Sequence, residues 1–187
     1  PHFNHNLDQE NLDIGKANAR GLEILLRKKT GGISGWVAYN LNQVEYNFPS
    51  LNEGKIFLAD HNKTHELKSV LVTRVWGIDF TANWVFSSGG PYTSKERLFV
   101  EPGSGYGIKI TGDRNERKLD AVHHLDINIS KSLKINATII DMGCSIYNVY
   151  NQNNISHKRY NPYTSQLSVK DVSMFGITPN AYIKIRF

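Results

Sequence analysis

The segment that decides the interpretation of the whole chain is Ala181-Tyr182-Ile183-Lys184-Ile185-Arg186-Phe187. With a period of two, its apolar residues fall on one side of a strand and Tyr182, Lys184 and Arg186 fall on the other. A strand with one apolar and one charged side that ends on an aromatic residue is typical of the last strand of an outer-membrane β-barrel. We therefore interpret Ile183, Ile185 and Phe187 as a barrel-assembly signal.

Composition narrows the class of protein. The chain has 187 residues, 40% of them hydrophobic, and a net charge of +5. We expect one domain over residues 1–187. No run approaches the roughly 20 apolar residues of a membrane-spanning helix. The positive charges are scattered, so nucleic acid is not an expected partner.

The start of the chain is also informative. Pro1–Asn6 is polar and lacks the charged-then-apolar pattern of an export signal. A protein of the outer membrane must carry such a signal at some stage, so we expect a processed chain or part of a longer one.

Alternation along the chain predicts hairpins. Strands over 21–29 and 33–46 flank a Gly31-Gly32 turn, and a second pair over 67–86 turns near Trp76-Gly77. A third hairpin over 121–150 is expected to turn near 132–134, with a bulge near Ile139-Ile140. Adding strands at 155–160 and at the end of the chain gives about eight strands and no convincing helix. The sequence therefore predicts an all-β, antiparallel fold.

Long connections separate the predicted hairpins. Residues 47–64 and 87–118 are rich in Gly, Ser, Pro and Asn, whereas the turns inside the hairpins are short. This inequality favours a transmembrane barrel, which has tight turns at one rim and long functional loops at the other. We expect ligand or partner contacts in these loops, at the aromatic residues Phe57, Tyr92, Phe99 and Tyr106.

The polar sides of the predicted strands carry most of the charge. In a barrel these residues would line a wet lumen, whereas in a soluble sheet they would be a solvated outer face. The set consists of Glu23, Arg27, Lys68, Arg74, Asp79, Asn83, Asp126, Asn128, Lys184 and Arg186.

No residue pattern predicts catalysis, a metal or a cofactor. His61 and His65 lie four apart, but in a loop entering a strand, where they do not converge as they would on a helix. His123 and His124 point to opposite sides of a strand. The lone Cys144 permits no internal disulfide, and we expect it to be a small, inert hydrophobic residue. We therefore expect no enzyme.

Several segments together resemble the C-terminal barrel strands of TonB-dependent outer-membrane receptors, in particular those with a carboxypeptidase-like regulatory domain. Asn148-Val149-Tyr150-Asn151 is similar to an Asn-Leu-Phe-Asp element of that family. The other segments are 21–31, Gly35-Trp36-Val37-Ala38-Tyr39, His65-Glu66-Leu67, Trp84-Val85-Phe86, His124–Ser130 and Ile183–Phe187.

The resemblance implies a multi-pass β-barrel of roughly 22 strands with a plugged lumen in the cell outer membrane. This chain would supply about its last third, without the plug domain or the TonB box. The implied function is TonB-dependent active uptake of a nutrient of the siderophore, oligosaccharide or peptide class. The implied partners are membrane lipid, the remaining strands and plug, TonB through that plug, a surface lipoprotein and the nutrient.

Two alternatives stay open at this stage. A complete small barrel of about eight strands, serving as an adhesin or structural protein, predicts closure within this chain and a strand that begins near residue 1. A soluble β-sandwich binding module predicts Trp84 and Phe86 fully buried in its core.

Overall fold

The fold is all-β and antiparallel in a computed structural model that describes residues 13–101, 105–110, 112–161 and 168–187. The side chains of 96–101, 105–110, 161 and 168 lie outside that description. The described strands are β1 (Lys16–Lys28), β2 (Ile33–Asn47), β3 (Phe57–Leu58), β4 (His65–Val75), β5 (Ile78–Ser87), β6 (Pro91–Tyr92), β7 (Lys95–Glu101), β8 (Gly105–Ile110), β9 (Arg117–Lys118), β10 (Val122–Ile135), β11 (Thr138–Tyr147), β12 (Ile155–Asn161), β13 (Ser168–Ser173) and β14 (Thr178–Arg186).

Seven long strands form one sheet in the order β1-β2-β4-β5-β10-β11-β14, and the short β3 pairs with β2. Every neighbouring pair in that order is antiparallel. Three further two-stranded ladders, β6–β9, β7–β8 and β12–β13, lie within the connections. The described strands include no pairing of β1 with β14, so the sheet is open and no closed barrel is found.

The two ends of the sheet differ in their connections. At the end that we call the turn side, the hairpins close through tight turns: Gly31 has φ 99°, Trp76 and Gly77 have φ 52° and 75°, and Asn136 has φ 54°. Glycine and asparagine enter this left-handed region at low cost, which suits tight hairpin turns. At the other end, the loop side, residues 48–64, 88–121 and 148–177 form three long connections.

The sheet has one apolar face. Partners in an antiparallel ladder project to the same side, so the register assigns each residue to a face. For example, Phe80 lies opposite Ile129, which lies opposite Cys144, which lies opposite Ala181. The apolar face comprises Leu22, Ile24 and Leu26 of β1, Val37 and Tyr39 of β2, Leu67 and Leu71 of β4, Phe80, Trp84 and Phe86 of β5, Leu125, Ile127 and Ile129 of β10, Met142, Cys144 and Ile146 of β11, and Ala181, Ile183 and Ile185 of β14.

The opposite, polar face carries all ten of the charged and amide residues that the sequence places on a single side. Its contacts cross between strands: Asn83 Nδ2 donates to Asp126 Oδ2 at 3.2 Å, and Arg74 Nε lies 3.4 Å from Asp79 Oδ1. The predicted grouping of these residues on one face is confirmed by the register.

The hydrophobic core is very small. Among the described residues, the buried apolar side chains are Phe57, Ala59 and Pro91, all at the loop side, whereas Leu26 and Ile183 on the apolar face are 68% and 73% exposed. The accessible surface is 13965 Å², against about 9,100 Å² for a compact monomer of this mass. Trp84 and Phe86 are only half-buried, unlike the core residues that a soluble sandwich requires.

Several details correct the sequence prediction. The third hairpin turns at Asn136-Ala137, not near 132–134, because Asn136 adopts the positive φ of the turn. Its register runs without interruption past Ile139-Ile140, so the predicted bulge is wrong. The predicted strand at 155–160 corresponds to β12, which pairs with β13 and not with the large sheet.

Among the described residues, no helix is long and apolar enough to cross a membrane.

Candidate functional site

The three long connections meet in one cleft at the loop side. Its volume is about 440 Å³, within the range of roughly 300–1,000 Å³ typical of ligand pockets. Each connection contributes side chains, and the lining residues are Asp60, Lys63, Ser87, Ser88, Gly90, Pro91, Tyr92, Leu119, Asp120, Val122, Ile155, Ser156, His157, Lys158, Tyr160 and Met174.

A close backbone approach at Gly89 brings the two ends of the second connection together. A Cβ atom at Gly89 would lie 1.7 Å from the Leu119 carbonyl oxygen, so only glycine fits. Next to it, the Leu119 amide donates to the Gly90 carbonyl at 2.9 Å, and Pro91 and Tyr92 pair with β9. The strand-like closure at this point fixes the position of Tyr92 on the cleft wall.

Asn115 joins the first connection to the second. This buried residue has φ 56°, and its Nδ2 donates to the Leu58 carbonyl at 2.7 Å and to Asp60. Its backbone amide donates to Thr93 Oγ1 at 3.0 Å. Because one amide side chain bridges two connections, the position of Asp60 at the cleft depends on Asn115.

Asn154 attaches the third connection to the sheet. Its Oδ1 accepts from the His123 amide at 3.0 Å, and its Nδ2 donates to the His123 carbonyl at 2.9 Å. The side-chain amide thus replaces a ladder partner at the start of β10, and it is 1% exposed. This attachment holds Ile155 and the residues after it against the cleft.

The segment resembling the family's Asn-Leu-Phe-Asp element also has a structural role. Asn148 is fully buried; its amide donates to Asp126 Oδ1 at 3.0 Å and its Nδ2 to the Gln152 carbonyl at 2.8 Å. Asn151 Oδ1 accepts from the Ile177 amide at 2.9 Å. The element therefore folds the start of the third connection onto its own end.

Lysines and tyrosines face each other around the cleft. Lys158 Nζ lies 2.6 Å from Asp171 Oδ1 and 5.6 Å from the centre of the Tyr92 ring. Lys95 Nζ lies 4.9 Å from the centre of the Tyr160 ring, and the Tyr160 hydroxyl donates to the Thr93 carbonyl at 3.3 Å. The hydrogen bond to Asp171 raises the pKa of Lys158, so this side chain stays cationic at neutral pH.

The chemistry of the lining favours binding of a polar ligand. The cleft lining includes two carboxylates, Asp60 and Asp120, and two ammonium groups, Lys63 and Lys158. This balance favours a ligand without a large net charge, held by hydrogen bonds and by tyrosine rings. Ser156 Oγ and His157 Nδ1 lie 3.3 Å apart. No described contact orients that histidine with a third group, as an activated nucleophile requires.

The predicted loop aromatics have different positions. Tyr92 lines the cleft. Phe57 is 6% exposed, with the Arg114 guanidinium 5.4 Å above its ring and Tyr46 edge-on at 6.2 Å. The structure thus places Phe57 beneath the loops and not on a ligand-facing surface. Phe99 and Tyr106 belong to the β7–β8 hairpin, but their side chains lie outside the described residues.

The remaining candidates are also located. Ile183 and Ile185 are exposed on the apolar face, and Phe187 is fully exposed after β14. The His65 ring nitrogen bonds the Tyr39 hydroxyl at 2.8 Å, whereas His61 lies edge-on to Tyr46. In the part of the chain that the structure describes, no three metal-ligating side chains cluster.

Sequence reasoning missed most of the cleft. Lys158 and Tyr160 lie in a segment predicted as a short strand and not as a loop, and Asp120 lies beyond the predicted loop boundary. No local pattern could identify them, because they meet through connections far apart in sequence. Comparison with protein-family models, with curated proteins and with solved structures finds no match for this chain.

Proposed function

We propose that this chain is a membrane-spanning sector of a TonB-dependent outer-membrane receptor, and that its loop-side cleft binds the nutrient to be imported. The observation that carries the proposal is the continuous apolar face on all seven long strands. An exposed apolar surface of this extent needs a cover. Lipid would cover this face, and the polar face would line a lumen of water and plug residues.

The height of the apolar face suits a bilayer. Trp76 is 93% exposed at the tip of the β4–β5 turn, and Phe86 lies ten residues further along the chain. At about 3.3 Å per residue and a strand tilt of about 40°, the vertical distance between them is roughly 25 Å, the height of the apolar band of outer-membrane barrels.

Aromatic residues and histidines form a belt on the loop side of the apolar face. The Trp84 and Phe86 rings stack at 6.2 Å, and the Tyr39–His65 pair is matched on β10 by a 2.9 Å contact between His123 Nδ1 and the Tyr150 hydroxyl. Amphipathic rings are favoured at the membrane–water interface, where one edge meets lipid and the other meets water.

In this proposal the sector itself is passive. It holds its part of the plug, spans the membrane and presents the cleft to the outside. Energy would arrive through a plug coupled to TonB, and a surface lipoprotein could cover the loops. The balanced charge of the cleft favours polar nutrients, such as oligosaccharides or peptides, over strongly anionic ones.

The test uses two neighbouring arginine substitutions on β10. Ile127→Arg places a charge on the apolar face, and Asn128→Arg places the same charge on the polar face. At mid-bilayer a lipid-facing arginine costs about 2–4 kcal/mol. We therefore expect Ile127→Arg to lower the amount of folded protein in isolated outer membranes, with Asn128→Arg close to wild type. Equal tolerance of both substitutions would contradict the membrane orientation.

The ligand role has a separate test. Replacing Tyr92 by leucine removes a ring from the cleft wall, and a ring contact is worth about 0.5–1.5 kcal/mol, or roughly 2- to 10-fold in affinity. Uptake and binding of oligosaccharide and peptide mixtures would be compared with those of Tyr150→Leu, which leaves the cleft intact. Unchanged binding in the Tyr92→Leu variant would remove the cleft from the proposal.

A further inference from the structure

The apolar face contains a groove beside Lys131. The groove has a volume of about 650 Å³ and lies across β10, β11 and β14. Side chains of two neighbouring rows line it: Ile129, Cys144 and Ala181 in one row, and Lys131, Met142 and Ile183 in the next. The small side chains of Cys144 and Ala181 leave the space that larger residues fill elsewhere on this face.

Lys131 is a charged residue on the apolar face. The register places it between Ile129 and Leu133 and opposite Met142. Among the described residues on the apolar face of β4, β5, β10, β11 and β14, it is the one lysine, arginine or carboxylate. It is half-buried, and the described contacts give it no carboxylate partner. An ammonium group beside lipid requires a counter-charge or water.

Lys131 lies toward the turn side of the sheet. Lys131 is on the ladder row next to Ile78, at the β4–β5 turn, because Ser130 pairs with Asp79. In the membrane orientation proposed above, this turn marks the turn-side interface. The ammonium group therefore lies near lipid phosphates, while the groove continues toward the bilayer interior.

We propose that this groove is a binding site for one anionic phospholipid, with an acyl chain in the groove and its phosphate paired with Lys131. The inference rests on the proposed membrane orientation. The complementary charge argues for an anionic lipid over a zwitterionic one, since basic pockets at membrane interfaces select such headgroups.

The experiment measures lipid retention by protein extracted from outer membranes in a mild detergent. Micelles containing phosphatidylglycerol or phosphatidylcholine would be mixed with the protein, and the bound lipid would be counted by native mass spectrometry. We expect Lys131→Gln to reduce the preference for phosphatidylglycerol by about fivefold, the effect of one lysine near an anionic surface. Lys131→Arg should retain the preference.

Two further variants separate the site from general charge and from misfolding. Lys134→Gln removes a lysine from the polar face of the same strand and should leave the preference unchanged. Ala181→Phe fills the groove without changing charge, and it should reduce lipid retention. If Lys131→Gln and Lys134→Gln changed the lipid preference equally, or if Lys131→Gln did not change it, the proposed lipid site would be wrong. The proposed membrane orientation would not be affected by that result. Recovery of the protein in soluble form without detergent would overturn the membrane orientation as well.

Discussion

Tyr182 of β14 lies directly opposite Gly143 of β11, and its ring occupies the space that a side chain at position 143 would need. A Cβ atom at Gly143 would lie 2.7 Å from the ring and 2.9 Å from the hydroxyl oxygen. Glycine in a strand has no side chain to pack, and an aromatic ring from the neighbouring strand covers the gap. This pair adds a side-chain contact to the ladder that joins the edge strand β14 to β11.

The Gly143–Tyr182 pair predicts a compensating double variant. Gly143→Ala displaces the exposed tyrosine ring and should destabilise the fold by the loss of this cross-strand contact, roughly 0.2–1 kcal/mol. In the background of Tyr182→Leu the same alanine should cost less, because the ring is gone. Urea unfolding followed by tryptophan fluorescence would measure both costs. Strictly additive effects would show that the ring and the glycine do not interact.

Cys144 provides a label for the environment of the apolar face. It is the chain's only cysteine, and its thiol is exposed there. If lipid covers this face, as proposed, a membrane-impermeant maleimide should leave Cys144 unmodified in intact outer membranes and modify it after denaturation, because lipid keeps the water-soluble reagent away from the thiol. Ser145→Cys in a Cys144→Ala background, on the polar face, should react faster. Rapid labelling of native Cys144 would contradict a lipid-covered face.

Gly89 and Gly90 form a matched pair at the cleft. Gly89→Ala would place a Cβ atom against the Leu119 carbonyl, whereas the nearest atom to a Cβ at Gly90 is 4.0 Å away. Gly89→Ala should therefore open the closure of the second connection and raise amide exchange in residues 88–92 and 117–121. Gly90→Ala should leave exchange near wild type. Comparable exchange in the two variants would show that the close approach does not hold the cleft together.

Asn154 predicts a local loss of structure at the start of β10. Asn154→Ala leaves the His123 amide and carbonyl without partners, at a cost of about 1–3 kcal/mol. Hydrogen exchange of the His123 amide should accelerate, and the third connection should become sensitive to protease. The neighbouring Asn153 is exposed, so Asn153→Ala is the matched control. Faster exchange in Asn153→Ala but not in Asn154→Ala would show that Asn154 does not support the His123 backbone.

The Lys158–Asp171 pair predicts a flat pH response of the β12–β13 hairpin. The pKa of Lys158 is raised by its hydrogen bond to Asp171. The stability from this pair is therefore complete below the ordinary lysine value of 10.5 and is lost as pH rises through the higher, folded value. Limited proteolysis of the hairpin should be unchanged from pH 7 to pH 9, and Asp171→Asn should increase it throughout. A change in proteolysis between pH 7 and pH 9 would show that a group other than Lys158 controls the stability of the hairpin.

The hairpins could be predicted from sequence because their determinants are local. Glycine at position 77 and alternation along β4 and β5 require no distant partner. The third turn was misplaced because Ser132 and Lys134 resemble turn residues, although they continue the polar face of β10. The cleft could not be predicted, since Asn115 and Asn154 act on backbone groups 57 and 31 positions away. Buried asparagines of this kind look like ordinary loop residues in the sequence.

The number of long strands has a geometric consequence for any closure of the sheet. Seven strands joined by antiparallel neighbours leave β1 and β14 pointing in the same direction. A barrel in which every neighbour is antiparallel needs an even total, so closure around these two edges requires an odd number of additional strands. In the proposed membrane arrangement, a second copy inserted in the same orientation would place its β1 beside β14 of the first copy, and these two strands would be parallel. Self-association of this chain in that arrangement therefore cannot complete an all-antiparallel ring, whereas an odd-numbered set of other strands can.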